Sequence, residues 1–164
     1  MHTLQALDQA DKTTFYVDLE KQLAAVLEGE RNLIANAANV SALIYEMVPN
    51  LNWAGFYLMK ANNELVLGPF QGKVACVRIP VGKGVCGAAA ERRETMLVMD
   101  VHEFPGHIAC DANSRSELVV PIMKNGEVMG VLDLDSPIPG RFDDEDRIGF
   151  EKIVSTFIGM TDFV

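Results

Sequence analysis

The feature that most constrains the fold is an Asn125-Gly126 pair between two apolar runs, residues 117–123 and 127–135. Asn-Gly between alternating segments is the strongest short-range signal for a β-hairpin. A two-residue turn would mix apolar and acidic side chains on both faces of that hairpin. A three-residue loop over 124–126 separates them, and register follows the buried face because a one-residue slip moves every side chain to the other face. We therefore expect the three-residue loop.

This register divides the hairpin into an apolar and an acidic face. The apolar side chains form a continuous core surface: Leu118, Val120, Ile122, Val128, Leu132 and Leu134. The opposite face carries the remaining side chains: Glu117, Val119, Met123, Met129, Val131, Asp133 and Asp135. It pairs Glu117 with Asp133 and gathers three carboxylates at one end, where crowding raises the pKa of each. We interpret the three as a general acid or as a binding site for an ammonium group, in preference to solvated strand ends.

The three cysteines, Cys76, Cys86 and Cys110, lie just upstream of these carboxylates. A thiol that ionises, a second thiol that captures it and carboxyl groups that move protons are the components of reversible sulfur redox chemistry. An inert buried thiol is the default for each cysteine alone. Cys110 departs from it most, because residues 104–111 predict a loop. We interpret His107, in the same loop, as a surface residue.

Composition and spacing disfavour several function classes. With 23 acidic and 14 basic residues the net charge is −9, which argues against nucleic acid and anionic membranes as partners. No apolar run reaches the roughly 18 residues of a membrane span, and residues 1–5 lack the pattern of a secretory leader. We therefore expect no leader and a cytoplasmic protein without a structural disulfide framework. No Cys-x-x-Cys or His-x₃-His pair occurs, so we predict no metal site. The Gly82–Gly87 loop lacks phosphate-loop spacing and is interpreted as a tightly packed turn or as N–H donors for a substrate carboxylate.

The rest of the chain predicts an α+β domain. Residues 1–48 carry the periodicity of two helices, and Asp143 begins a final one. The remaining elements are expected at these ranges: strands over 51–60, 64–70, 75–79 and 95–99, and a short helix over 88–92. Trp53 and Tyr57 lie four apart on the first strand and so share a face, as core aromatics or as the wall of a small-molecule pocket. We expect a mostly antiparallel sheet with the terminal helices packed on one face.

A set of segments carries a resemblance to a known family. They are Trp53-Ala-Gly-Phe-Tyr57, Gly68-Pro-Phe-Gln-Gly72, Ala75-Cys-Val-Arg-Ile79, Gly82-Lys-Gly-Val-Cys-Gly87, Phe104-Pro-Gly-His-Ile-Ala-Cys-Asp111, Ser116-Glu-Leu-Val-Val-Pro121 and Gly130-Val-Leu-Asp-Leu-Asp-Ser136. Over residues 51–135 the chain resembles the GAF-domain free methionine-R-sulfoxide reductases. The cysteine and acid motifs separate that family from GAF domains in general.

The resemblance implies a single GAF domain over residues 1–164. Its expected fold is a six-stranded antiparallel sheet with N- and C-terminal helices on one face and a ligand pocket on the other. The implied reaction is reduction of free L-methionine-R-sulfoxide through a thiol, sulfenic acid and disulfide cycle, with no bound cofactor. Thioredoxin as the external dithiol reductant and a homodimer are further implications.

The resemblance also assigns roles to individual side chains. Cys110 is implied as the nucleophile and Cys76 as the resolving thiol, with Cys86 as a second resolving or relay thiol. The carboxyl groups implied to bind the substrate and protonate its oxygen are Glu117, Asp133 and Asp135.

The alternative function is that of a GAF module that senses a small ligand without catalysis. Such a module normally sits beside an output domain, for which we expect no room in this chain, and it has no need of both Cys76 and Cys110. A thiol-based peroxide sensor would use the cysteines but would leave the three carboxylates without a role. Both alternatives are less favoured than the reductase.

Overall fold

The computed structural model describes residues 2–108 and 110–164, which form one sheet with helices on both faces. The elements in chain order are α1 (Lys12–Leu27), α2 (Leu33–Met47), β1 (Trp53–Lys60), β2 (Glu64–Gly72), β3 (Arg78–Pro80), α3 (Gly84–Arg92), β4 (Met96–Val98), β5 (Ser116–Lys124), β6 (Glu127–Ser136) and α4 (Asp144–Gly159). The strand order is β3-β2-β1-β6-β5-β4, with every neighbouring pair antiparallel. The predicted α+β class and six-stranded antiparallel sheet are therefore confirmed. Among the described helices, none combines the length and the apolar character needed to cross a membrane.

Polar side chains mark the starts of three helices. Asp11 accepts hydrogen bonds from backbone N–H groups in the first turn of α1, and Asn32 does the same for α2. Asp143 and Asp146 form a reciprocal capping box at the start of α4. Because the first N–H groups of a helix have no partner inside it, such caps set where a helix begins. The two predicted N-terminal helices and the final helix are confirmed.

The sheet separates two apolar clusters. On one face α1, α2 and α4 cover the larger core, whose fully buried members include Leu19, Ile44, Phe56, Leu118, Phe150 and Phe157. On the other face α3 and the adjoining loops cover a smaller cluster that includes Trp53, Tyr57, Val119 and Val131. The terminal helices share one face, as expected, and the opposite face is left for a pocket.

The turn of the β5–β6 hairpin differs from the expected one. Asn125 and Gly126 both have positive φ, 52° and 78°, and Lys124 pairs with Glu127. Positive φ at both central residues defines the two-residue turn that Asn-Gly favours most. The predicted three-residue loop is therefore wrong.

A β-bulge next to this turn preserves the two faces of the hairpin. Met123 pairs with Val128 whereas Ile122 pairs with Gly130, so Met129 is an additional residue in β6. Beyond the bulge the pairing differs from the predicted one by two residues, and the two-residue period leaves the apolar and acidic faces as expected. Only Val128 and Met129 exchange faces. A Cβ on Gly130 would lie 2.3 Å from the backbone oxygen of Tyr57, so this close strand approach requires glycine.

Two segments near the cysteines differ in extent from those expected. α3 begins at Gly84 rather than at residue 88, so it includes Cys86. A Cβ on Gly87 would lie 2.5 Å from the backbone oxygen of Pro80, which shows how tightly this helix packs on the preceding loop. β3 spans Arg78–Pro80 rather than 75–79, and Cys76 lies in the loop before it.

Candidate active site

The face of the sheet that α3 covers contains a cavity. Its walls come from β1, β3, α3, β5, β6 and the loops that precede β3 and β5. Seven of the eight predicted site residues line it: Trp53, Tyr57, Cys86, Cys110, Glu117, Asp133 and Asp135. The eighth, Cys76, is not among the lining residues but is bonded to Cys110, which is.

Neighbouring antiparallel strands bring the three carboxyl groups together. Glu117 on β5 pairs with Asp135 on β6, and Asp133 pairs with Val119, so the predicted Glu117–Asp133 pair is wrong. The bulge shifts the pairs but not the face, and the three carboxyls still line one cavity. Glu117 and Asp133 are each 6% exposed, and Asp135 is half-buried. The Oδ1 atom of Asp133 is buried and has no hydrogen-bond partner among the described residues.

Burial changes how these carboxyl groups hold protons. It raises the pKa of Glu117 well above the ordinary value, and the charges of Asp133 and Asp135 raise it further. Burial raises the pKa of Asp133 to about 6, and burial together with the charge of Asp133 raises the pKa of Asp135. No lysine or arginine lies among the described residues that line the cavity. The cluster therefore keeps a proton near neutral pH and lacks a fixed cation.

A disulfide joins Cys76 to Cys110, with their Cα atoms 5.5 Å apart. Cys76 belongs to the loop before β3, and Cys110 belongs to the loop before β5. The Tyr57 hydroxyl donates a 3.0 Å hydrogen bond to the backbone oxygen of Cys76, which ties that loop to the sheet. The two cysteines that the resemblance implies as redox partners are thus in bonding contact at the cavity.

Cys86 is the free cysteine and is 3% exposed on α3. Its Sγ lies 3.9 Å from Oε1 of Glu117. Burial raises the pKa of this thiol well above its ordinary value, and the charges of Asp133 and Glu117 raise it further. Near neutral pH it is therefore a protonated thiol packed against a carboxyl group.

Stacked aromatic rings form the apolar wall of the cavity. Trp53 and Tyr57 stack at 5.8 Å between ring centroids, which confirms that they share a face. Phe70 on β2 also stacks on Trp53, at 5.2 Å, and the indole Nε1 donates to the backbone oxygen of Lys73. A Cβ on Gly55 would lie 2.3 Å from Cβ of Phe70, so this close approach of β1 and β2 also depends on glycine. Sequence alternation did not identify Phe70.

Three polar residues of the loop before β5 also line the cavity: His107, Asp111 and Ser114. His107 is not the surface residue expected, since its side chain is 16% exposed and its Nε2 lies 4.0 Å from Oε2 of Glu117. Burial lowers the pKa of His107, so the imidazole is largely neutral near pH 7. Asn52 donates 3.1 Å hydrogen bonds to both Asp111 and Ser114 and holds the loop in place. Loop residues show no hydrophobic periodicity, so the only sequence signal that this loop belongs to the site was the motif around Cys110.

The start of α3 presents backbone N–H groups near the carboxyl cluster. Gly84 and Val85, the first two residues of the helix, line the cavity, and Lys83 at the N-cap contributes no side-chain hydrogen bond. The first N–H groups of a helix lack internal partners, and the helix dipole favours an anion there. The cavity thus offers one place for an anion and another for a cation.

Comparison with known proteins agrees with this geometry. The GAF domain family model matches residues 18–161. The chain is 53% identical to the free methionine-R-sulfoxide reductase of Escherichia coli over 88% of this chain and 87% of that protein. It is 48% identical to the enzyme of the same name from Saccharomyces cerevisiae over 77% of this chain and 74% of that one.

A solved structure is similar to this chain in both fold and sequence. The X-ray structure of free methionine-R-sulfoxide reductase from Neisseria meningitidis in complex with its substrate superposes with a TM-score of 0.93 at 40% identity. The match covers 98% of this chain and 95% of that one. Similarity in sequence and in fold therefore points to one family over nearly the whole chain.

Proposed function

Since the chain belongs to the free methionine-R-sulfoxide reductases of the GAF family, we propose that it reduces free L-methionine-R-sulfoxide to L-methionine, and that residues 1–164 act as a single GAF domain. One observation carries the proposal. The Cys76–Cys110 pair and a buried, proton-holding carboxyl cluster belong to the same cavity. A thiol alone is a poor reductant of a sulfoxide, and an acid alone moves no electrons, so the reaction needs both.

The first step forms a bond between sulfur atoms. The Cys110 thiolate attacks the sulfoxide sulfur while a carboxylic acid of the cluster protonates the sulfoxide oxygen. The oxygen then passes to Cys110 as the new sulfur–sulfur bond and the sulfur–oxygen bond of the substrate break, so methionine leaves and Cys110 becomes a sulfenic acid. Methionine sulfur gains the two electrons that Cys110 loses. Raised carboxyl pKa values favour this step because they keep a proton available near pH 7.

The second step restores the nucleophile. The Cys76 thiol attacks the sulfenic acid of Cys110, water leaves and the disulfide forms. An external dithiol then reduces the disulfide by exchange, and we propose thioredoxin for that role, with no bound cofactor. Cys86 acts as a second resolving or relay thiol when Cys76 does not complete the step. We further propose a cytoplasmic homodimer.

Substrate recognition follows from the charges around the cavity. A free amino acid carries an ammonium group, which the carboxylates Glu117, Asp133 and Asp135 would bind as the missing cation of their cluster. Its carboxylate would accept hydrogen bonds from the N–H groups at the start of α3. Trp53 and Tyr57 would contact the side chain of the substrate. A peptide-bonded residue lacks both charges, so we expect selection for the free amino acid.

The test is an assay with separated epimers. The protein is incubated with dithiothreitol and with the R or the S epimer of free methionine sulfoxide, and methionine is quantified. We expect methionine from the R epimer alone. Cys110→Ser should abolish turnover. With thioredoxin in place of dithiothreitol, which would reduce the sulfenic acid directly, Cys76→Ser should allow one turnover and then stall unless Cys86 substitutes. No methionine from either epimer, with folded and reduced protein, would refute the proposal and favour a ligand-sensing GAF module.

A further inference from the structure

We propose that Cys86, Glu117 and Asp133 form a binding site for one thiophilic divalent cation of the Zn²⁺ type. The three residues come from α3, β5 and β6, and consecutive members of the set lie 31 and 16 positions apart in the chain. Sequence spacing could not identify such a site, because spacing rules detect ligands that lie close together in the chain. This site is additional to the sulfur chemistry proposed above and does not require it.

The geometry is close to that of a metal site. One atom from each residue, the Cys86 sulfur and a carboxylate oxygen of each acid, lies within 4.8 Å of the other two, and all three residues are buried. The Sγ of Cys86 and Oε1 of Glu117 are 3.9 Å apart. Ligand atoms of a tetrahedral zinc ion, at about 2.3 Å for sulfur and about 2.0 Å for oxygen, stand about 3.5 Å apart. Closing the site around an ion would therefore shorten the Cys86–Glu117 separation by a few tenths of an ångström, and the other two separations, which lie within 4.8 Å, by at most about 1.5 Å.

A second observation points to a cation in the same place. The Oδ1 atom of Asp133 is buried without a hydrogen-bond partner among the described residues, on a side chain that is 6% exposed. Native proteins rarely leave a buried carboxylate oxygen unpaired, because its desolvation is not compensated. Since neither lysine nor arginine occurs among the described lining residues, the charge of the cluster is left to protons or to a bound cation.

The donor set selects the kind of ion. A thiolate is a soft ligand that favours zinc or cadmium, whereas Mg²⁺ and Ca²⁺ prefer sites made only of oxygen. Binding replaces the S–H bond of Cys86 with a metal–sulfur bond and releases that proton to solvent. His107, whose Nε2 lies 4.0 Å from Oε2 of Glu117, is not one of the three grouped residues.

A bound ion should also affect the reductase activity proposed above. This effect rests on that proposed function, whereas the metal site itself does not. The ion and the substrate ammonium group would use the same carboxylates. Zinc should therefore inhibit the reductase reversibly and in competition with the sulfoxide, and a chelator should restore activity.

The binding test uses the disulfide form of the protein. With Cys76 and Cys110 joined, Cys86 is the remaining thiol of the three. Cd²⁺ is added as a spectroscopic probe, and thiolate-to-metal charge transfer is followed in the ultraviolet. We expect a band that saturates at one equivalent of Cd²⁺ and that is lost in Cys86→Ala. In Asp133→Asn, half-saturation should need at least about tenfold more Cd²⁺ than in the unmodified protein. Glu28→Gln, which removes an exposed acid of α1's C-terminal end, should bind as the unmodified protein does.

Two results would overturn the site. One is the absence of a saturating band in folded protein. The other is a band that Cys86→Ala and Asp133→Asn leave unchanged. Since Cd²⁺ binding is measured without turnover, failure of the methionine sulfoxide assay would not affect it, and a band in an inactive protein would support the site by itself.

Discussion

The buried carboxylates on the two faces of the sheet differ in their partners. Behind the sheet, Asp146 is 1% exposed and accepts hydrogen bonds from Lys12 Nζ at 2.7 Å and from the Tyr16 hydroxyl at 2.6 Å. Arg141 adds an ion pair at 3.3 Å. In the cavity, Glu117 and Asp133 are almost as deeply buried but have no cationic partner among the described lining residues. At this rear site, made of Asp146, Lys12, Tyr16 and Arg141, cationic side chains of the protein balance the carboxylate charge. In the cavity no described lining residue does so.

The pKa values express this difference. Asp143, next to Asp146 at the start of α4, has a side chain that is 54% exposed. Its limited burial would raise its pKa, but the hydrogen bonds from Lys12 and the Asp146 backbone outweigh this and lower the pKa to about 2. In the cavity, burial raises the pKa of Asp133 to about 6. An acid surrounded by cations stabilises the fold, whereas a buried acid without one is available to a proton or to a bound cation.

The largest effect is expected for activity. Asp133→Asn or Glu117→Gln removes a carboxyl from the cavity and should lower turnover of the sulfoxide by about 10²- to 10⁴-fold, the usual contribution of a general acid. The folded state should lose no stability, because an unbalanced buried charge is removed. Steady-state kinetics and urea unfolding of the same preparations measure both quantities.

Asp146→Asn is the matched change in the rear site and should retain the turnover of folded protein. An equal loss of turnover in both kinds of variant would show that the two acid sites do not differ in function.

The next effect is on stability. Asp146→Asn leaves Lys12 and Arg141 without their buried carboxylate and should lower the free energy of unfolding by about 3 kcal/mol. Urea titration should show a lower midpoint at an unchanged slope. Asp144→Asn provides the control, since its carboxyl is 83% exposed and pairs with Arg147 on the surface, and should cost less than about 1 kcal/mol. A stable Asp146→Asn protein would refute the structural role of the rear site.

The two sites should also give stability opposite pH dependences. A carboxyl with a raised pKa binds more protons in the folded than in the unfolded chain, so unfolding free energy falls as pH rises from about 4 through the folded pKa. For Asp133, with a folded pKa of about 6 against an ordinary value of about 3.9, the loss is about 2–3 kcal/mol. Asp143 has a lowered pKa, so its ionised carboxylate stabilises the folded state above about pH 4. This contribution to the free energy of unfolding is lost as the pH falls toward 2.

Urea unfolding between pH 4 and pH 8 measures this dependence. Asp133→Asn should be more stable than the unmodified protein at pH 8, and the difference should shrink toward pH 4. Parallel pH profiles of the two proteins would contradict the assigned shift.

The smallest effect is expected from a neutral contact in the cavity wall. Tyr57→Phe keeps the stacked ring but removes the hydrogen bond to the Cys76 backbone oxygen, which should cost about 1 kcal/mol. Tyr45→Phe, at a residue 39% exposed, should change stability by less than about 0.5 kcal/mol. A larger loss in Tyr57→Phe than in Asp146→Asn would reverse the proposed ranking of the two faces.

Alternation along the strands predicted much of this arrangement. It placed Glu117, Asp133 and Asp135 on one face and grouped Trp53 with Tyr57, because side-chain direction depends only on a two-residue period. It did not predict which residues pair, since the extra residue in β6 depends on contact with β1.

Longer-range features could not be obtained from the pattern. Tyr16 and Asp146, 130 positions apart, carry no local signal of their contact. The inward position of His107 depends on how its loop packs. The Cys76–Cys110 pairing was implied only by family resemblance, because spacing alone leaves three possible pairs among three cysteines.

The central claim is that the buried carboxyl cluster of the cavity binds a cationic group of the substrate. The most direct test is a binding measurement on reduced Cys110→Ser protein, which should bind substrate without turning it over. Calorimetry would compare free L-methionine-R-sulfoxide with its N-acetyl derivative, which lacks the ammonium group. We predict binding of the free amino acid and at least about 100-fold weaker binding of the derivative, as expected for loss of a charged hydrogen-bonded pair. Equal affinities would show that the buried carboxyl cluster does not recognise a cation.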